Sequence, residues 1–99
     1  MSQEERYAVY MMASRRNGTL YVGVTNNLAI RVHQHMTGAG GAFTRKYGVT
    51  RLVWYEFHAD IREAIAREKR LKKWERRWKL ELIEGFNPEW ADLYLTLIQ

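Results

Sequence analysis

The chain has 99 residues, 46% of them hydrophobic and 13% aromatic, enough for one domain with its own core and too few for two. Formal net charge is +5 and there is no cysteine, which excludes disulfides and Cys-based zinc sites and argues against zinc at the three histidines. No apolar run approaches the roughly 20 residues of a membrane span, and the acidic start, Met1-Ser2-Gln3-Glu4-Glu5, lacks a signal-peptide core, so a cytoplasmic protein is expected.

Residues 6 to 13 read as a strand, with Tyr7 and Val9 on one face and Ala8, Tyr10 and Met12 on the other. Asn17-Gly18 is a strong hairpin signal, because both residues accept positive φ in a type I′ turn. Residues 19 to 24, TLYVGV, supply the partner strand. A strict two-residue turn pairs Ser14 with Tyr21 and Met12 with Gly23, which puts Tyr21 on the face of Tyr10. It also leaves the two phenols about 13 Å apart along the strand, at roughly 3.3 Å per residue. If both serve one site, the loop around residues 14 to 19 must be wider, or the strand must bulge.

Thr25-Asn26-Asn27 supplies an N-cap for a helix beginning at Leu28. Leu28, Arg31, Val32 and His35 fall on one face of it, with His33 nearly opposite. Arg31 and His35 thus occupy an inward stripe where packing alone would place apolar residues. Gly38-Ala39-Gly40-Gly41 ends the helix and opens a flexible loop, and residues 43 to 48 form a basic, aromatic connection. Residues 50 to 58 read as a third strand. Asp60 and Glu63 resemble a capping box for a helix whose inward stripe is Ile61, Ala64, Ile65, Glu68 and Leu71. After a break near residues 73 to 75, Trp74, Trp78 and Leu82 continue an apolar face. Asn87-Pro88 reads as a cap with a first-turn proline before a short C-terminal element around Trp90.

Charge is concentrated. From Arg67 to Lys79 eight basic residues stand against Glu68 and Glu75, so this segment carries more than the whole chain's net charge. A basic stripe beside aromatic side chains favours a polyanion, most simply nucleic acid; a merely solvated helix face is the equal alternative on charge alone.

A glutamate inside an apolar stripe is costly unless it is paired or bound to a cation. Taken singly, Glu68 is explained by a salt bridge to Arg31 or by a carboxylate curling to the helix edge, Arg31 and His35 by a structural pair, and each tyrosine by packing. Taken together they are a workable set for phosphodiester hydrolysis. One carboxylate suits Mg²⁺, which keeps its waters and takes other ligands from a phosphate. A guanidinium fork suits phosphate oxygens, and a tyrosine or histidine can accept a proton from water.

Ala8-Val9-Tyr10, followed by Tyr21-Val22-Gly23 and then by Arg31 and His35, resembles the paired signature of the GIY-YIG nuclease superfamily. Glu68, within Ala64-Ile65-Ala66-Arg67-Glu68-Lys69, falls where that family has its metal-binding glutamate. The resemblance spans nearly the whole chain and is nearest to small stand-alone bacterial members, related to the N-terminal endonuclease domain of the excision-repair subunit UvrC. It implies an α+β fold, a three-stranded antiparallel sheet flanked by helices. It implies one Mg²⁺ or Mn²⁺ held by Glu68 and a phosphate clamp from Arg31. Tyr10 becomes the choice for general base with His35 its rival, and Tyr21 positions water or phosphate. Asn87 matches a further site-lining asparagine. Lys46 and the basic stripe, with Lys69, Lys72, Lys73 and Arg76, would hold a DNA backbone without reading sequence.

Ala8 departs from the family's first glycine, and Val24 stands where many members have a lysine. With no added DNA-recognition module, cutting is expected to be structure-guided or weakly sequence-specific, in a setting such as DNA repair or recombination, with any targeting left to a protein partner. The rival readings are a nucleic-acid-binding module without catalysis, and an interaction domain using Trp74, Trp78 and Trp90.

Overall fold

The computed structural model describes residues 6–98, so the acidic N-terminal stretch lies outside the described residues. Strand β1 (Tyr7–Ala13) is central, between β2 (Leu20–Thr25) and β3 (Arg51–His58), and both pairings are antiparallel. Five helices surround this sheet: α1 (Leu28–Met36), α2 (Ala42–Lys46), α3 (Ile61–Lys73), α4 (Arg76–Phe86) and α5 (Tyr94–Ile98). The expected α+β architecture is therefore present.

The centre of the sheet falls on β1 because that strand is apolar on both sides. Every residue from Ala8 to Ala13 is buried. Strand alternation divides the core in two. Val9, Met11 and Ala13 pack with Ala64 and Leu71 of α3, Ile83 of α4 and Trp90. Ala8, Tyr10 and Met12 pack on the other face with Leu28 and Val32 of α1, and with Leu97 of α5. Each large side chain fully buried here contributes about 1.5–3 kcal/mol.

The hairpin corrects one expectation and bears out another. Met12 pairs with Tyr21 and Tyr10 with Gly23, a shift of two from the strict register, so the two phenols keep a common face. The connection is the wider loop required: Ser14 N donates to Thr19 O at 3.0 Å, and Gly18 N closes an inner turn on Arg15 O at 2.9 Å. It is not a type I′ turn. Only Asn17 is left-handed (φ 58°), whereas Gly18 is needed because a side chain there would collide with Ser14 and Arg15.

Other boundaries shift for local reasons. Asn27 caps α1 by accepting from Ile30 N at 3.2 Å, as expected. The segment read as a connection contains the short helix α2. Asp60 caps α3 by accepting from Arg62 N at 2.8 Å, without the Glu63 partner of a capping box. On α3 the buried residues are Ala64 and Leu71, whereas Ile61 and Ile65 are exposed, so the true contact stripe is narrower than the apolar pattern. The break before α4 falls at Trp74-Glu75.

Asn87 closes α4 at its C-terminus and opens the expected short element as a turn, not a helix, its carbonyl accepting from Trp90 N at 3.0 Å and its Oδ1 from Ala91 N at 3.1 Å. A bulge in β3, where Met11 faces Trp54 and Met12 faces Leu52, leaves Val53 without a ladder partner. Asn87 Nδ2 donates to Val53 O at 3.2 Å and to Ala91 O at 2.8 Å. Trp90 follows in a left-handed conformation (φ 54°), wholly buried, its indole donating to Glu84.

Candidate active site

Four of the five expected residues meet on the α1 face of the sheet. Tyr10 enters from β1, Tyr21 from β2, and Arg31 and His35 from successive turns of α1. The rings of Tyr10 and Tyr21 are 6.2 Å apart between centroids, those of Tyr10 and His35 5.7 Å, and those of Tyr21 and His35 5.1 Å. The register that brings them together also explains the glycine of the second motif. Gly23 lies opposite Tyr10, and a Cβ at Gly23 would stand 2.5 Å from the phenol oxygen and 2.6 Å from Cζ. The phenol lies where a side chain at position 23 would be.

A hydrogen-bonded chain leads inward from Tyr10. Tyr10 Oη lies 2.8 Å from His35 Nε2, and His35 Nδ1 lies 3.2 Å from Thr44 Oγ1. Thr44 Oγ1 donates its proton to Gly41 O at 3.3 Å, so its oxygen is left to accept. His35 Nδ1 therefore carries the ring proton, Nε2 accepts, and Tyr10 donates. Burial, reinforced by the Arg31 charge, lowers the His35 pKa to about 4, which keeps the ring neutral at pH 7 and suits this arrangement. Burial, with the neighbouring Tyr21, holds the Tyr10 phenol well above its ordinary value.

Thr44 was missed in the sequence because a hydroxyl inside a basic, aromatic stretch carries no signal of its own; its burial identifies it. Replacing Thr44 by valine strands His35 Nδ1–H in the core, an expected cost of about 1–3 kcal/mol. Nitrogen NMR of the His35 ring would show the single tautomer lost in Thr44→Val and regained in Thr44→Ser. An unchanged ring spectrum in Thr44→Val would remove Thr44 from this role.

Tyr10 and His35 are both about 1% exposed, while Tyr21 and Arg31 are half-buried and form the part of the cluster that solvent reaches. The Arg31 guanidinium is aimed by Gln34 Oε1 at 2.9 Å and Gly40 O at 3.1 Å. Burial disfavours its charge, but the adjoining Tyr10 and Tyr21 hydroxyls outweigh that and raise its pKa further.

Glu68 stands apart from the four. Its helix packs through Ala64 and Leu71 on the opposite face of the sheet, and its carboxylate pairs with Lys72 Nζ at 2.9 Å. Among the described residues, no hydrogen bond or ion pair joins Glu68 to the tyrosines, Arg31 or His35. Arg67 leaves α3 on the flank facing β3, where it pairs with Glu56 at 3.1 Å and lies against Trp54 and Trp74. Glu68, about 100° further round the helix, leaves on the flank directed away from β3. That is the side of β2, the edge strand that carries Tyr21. No group of three or more His, Cys, Asp or Glu gathers among the described residues. A fully protein-built metal cage is thus absent there; the carboxylate expected to hold a divalent ion has a side chain 13% exposed and is engaged by Lys72, so an ion would have to displace that ammonium.

The remaining expected residues divide. Asn87 serves the β3 bulge, not the cluster. Lys46, Lys69 and Lys73 are exposed; Lys72 is exposed but engaged by Glu68. Arg76 clamps the hairpin, donating to Asn17 O at 2.8 Å and Gly18 O at 2.6 Å, which brings the exposed Arg15 and Arg16 beside the basic stripe. Trp90 is core and Trp74 partly buried, so of the three indoles only Trp78 is well exposed, at 42%. That leaves little indole surface for an interaction domain.

Comparison with known proteins agrees with the motif geometry. The GIY-YIG catalytic domain profile matches residues 6–81. A UPF0213 protein of Clostridium perfringens is 43% identical over 77 residues, covering 78% of this chain and 82% of its own. A putative GIY-YIG domain-containing protein of Invertebrate iridescent virus 6 is 29% identical over 85 residues, covering 85% of each chain. The solution NMR structure of a UPF0213 protein from Bacillus halodurans matches with a TM-score of 0.55 at 28% identity, over 87% of this chain and 90% of that one. With the two tyrosines, the arginine and the histidine of the motif assembled in one cluster, the chain belongs to the GIY-YIG family of nuclease-type catalytic domains, among its small UPF0213 members.

Proposed function

We propose that the protein is a divalent-metal-dependent DNA endonuclease, structure-guided or weakly sequence-specific. The observation that supports this best is the assembly of Arg31, Tyr21 and the Tyr10–His35 pair at one partly open site. Arg31 would bind a non-bridging phosphate oxygen and take up the charge that builds as the phosphorus becomes five-coordinate. Tyr21, the phenol that solvent reaches, would orient the attacking water or the phosphate. Tyr10 would accept the water's proton while passing its own to His35 Nε2, along a bond that already points that way. The incoming phosphate charge would offset the burial and Arg31 charge that otherwise hold the ring neutral. His35 is a poorer direct base, because both ring nitrogens are already bonded and the ring is buried.

Glu68 would hold one Mg²⁺ or Mn²⁺, which would supply positive charge to offset that of the phosphate. This requires the substrate strand to lie around the free edge of β2, reaching Tyr21 and Arg31 from one face and Glu68 from the other. Lys46, Lys69, Lys73 and the hairpin arginines would contact the backbone by charge alone, so binding should weaken steeply with salt. Repair or recombination intermediates are the substrates this reading favours.

The test is incubation with single-stranded, flapped and duplex DNA, with Mg²⁺ or Mn²⁺ and with a chelator. Cleavage is expected with metal only. Salt-sensitive binding without cutting of any substrate would leave the second reading, a binding module without catalysis, supported by the Lys72 bond that occupies Glu68.

A further inference from the structure

The wall beside Tyr21 carries aromatic surface that the hydrolytic machinery does not use. Phe43 lies with its centroid 6.2 Å from that of Tyr21, and Tyr47 lies 4.9 Å beyond Phe43. Both are 46% exposed, so three rings step outward from the buried Tyr10–His35 pair to open solvent. Lys46 Nζ stands 5.4 Å from the Tyr47 centroid, and Arg45 is exposed beside it. No acidic residue occurs in the sequence between Glu5 and Glu56, so the segment that carries these rings adds positive charge and no negative charge of its own. A Phe–Tyr pair four residues apart supports a short helix, but that purpose needs only one side of each ring. Each residue still leaves 46% of its surface to solvent, and the flexible Lys46 side chain over Tyr47 can swing aside.

We propose that Phe43 and Tyr47 form a stacking platform for an unpaired nucleobase next to the phosphodiester to be cut, which makes single-stranded or flapped DNA the substrate class. This rests on the nuclease reading above for where the phosphate lies. Bases within a duplex are stacked on each other and present no face to such rings, whereas an unpaired base does. Arg45 and Lys46 supply the charge for the phosphates on either side of that base. The platform tolerates any base, because each has a π-face.

Binding is measured in chelator, so that catalysis plays no part, using labelled oligodeoxythymidylate and a blunt hairpin duplex. The Phe43→Leu/Tyr47→Leu variant keeps apolar bulk and removes the π-faces. It should bind the single strand about ten- to a hundredfold more weakly, the loss expected for one stacked base, and bind the duplex as wild type does. Quenching of a 2-aminopurine base in the single strand should be present in wild type and absent in the variant. Phe43→Trp, with a larger ring, should tighten single-strand binding alone, which keeps the proposal testable if the double variant folds poorly. Equal losses on both DNAs, or unchanged single-strand affinity, would overturn the platform. Wild type that binds and quenches but cuts nothing with Mg²⁺ would defeat the nuclease reading and leave the platform standing. Cutting that proceeds with single-strand affinity unaltered by the leucines would do the reverse.

Discussion

Glu68→Gln is expected to lower cleavage by about a hundred- to a thousandfold, the loss typical when one charge-stabilising group is removed, while leaving the fold intact. The amide keeps the volume and one acceptor oxygen but loses the charge that holds a divalent ion, and among the described residues no cluster of three or more metal-ligating side chains stands in for it. The structural cost is small, because the only bond at stake is the partly exposed pair with Lys72, worth about 0.3–0.5 kcal/mol for an i,i+4 pair on a helix. Rates in Mg²⁺ and Mn²⁺, set beside thermal denaturation of both proteins, separate the two contributions. Cleavage at the wild-type rate would mean that an acid on the α3 side of the sheet takes no part, and the cluster around Tyr21 would have to work without it.

Gly23→Val should be the most damaging single change in the sheet. The new side chain would begin 2.5 Å from the Tyr10 oxygen, so the ring must leave its place or the strands must separate. Overpacking of this kind costs about 1–3 kcal/mol. Displacing the phenol also leaves buried His35 Nε2 without its donor, a further cost of about 1–3 kcal/mol. Gly23→Val alone should therefore lose both stability and cleavage, measured by denaturation and by nicking of a flapped substrate. Combining it with Tyr10→Ala should return the overpacking share of the loss, about 1–3 kcal/mol, but neither the donor to His35 Nε2 nor the activity. Failure of that rescue would show that the clash is with something other than the phenol.

Much of this arrangement was legible because it is local. The spacing of Tyr10, Tyr21, Arg31 and His35 is set by a hairpin and one helix, and alternation with helical periodicity is enough to place them on common faces. The shift of the hairpin register was legible only as a requirement, since the sequence offers Asn17-Gly18 as a tight turn and only the convergence of two phenols argued for the wider one. What escaped depends on partners distant in sequence. Ile61 and Ile65 look inward by periodicity but lie outside, because α3 meets the sheet through Ala64 and Leu71. Arg67 and Arg76 read as free cations, yet they are tied to Glu56 and to the hairpin carbonyls. Asn87 could not be separated from a site residue, because the bulge that needs it is a feature of pairing between β1 and β3.

That bulge has a consequence for where the functional unit stops. The family match ends at residue 81, but the outer margin of β3 is sealed by residues further on, through Leu52 N to Asp92 Oδ1 at 3.2 Å, Leu93 N to Leu52 O at 2.8 Å and the Asn87 amide on Val53. Trimming the protein to the matched residues 6–81 would bare those groups and offer a ready seam for strand-to-strand sticking between molecules. The last turns of the chain act as a hem that keeps the sheet from joining its neighbours.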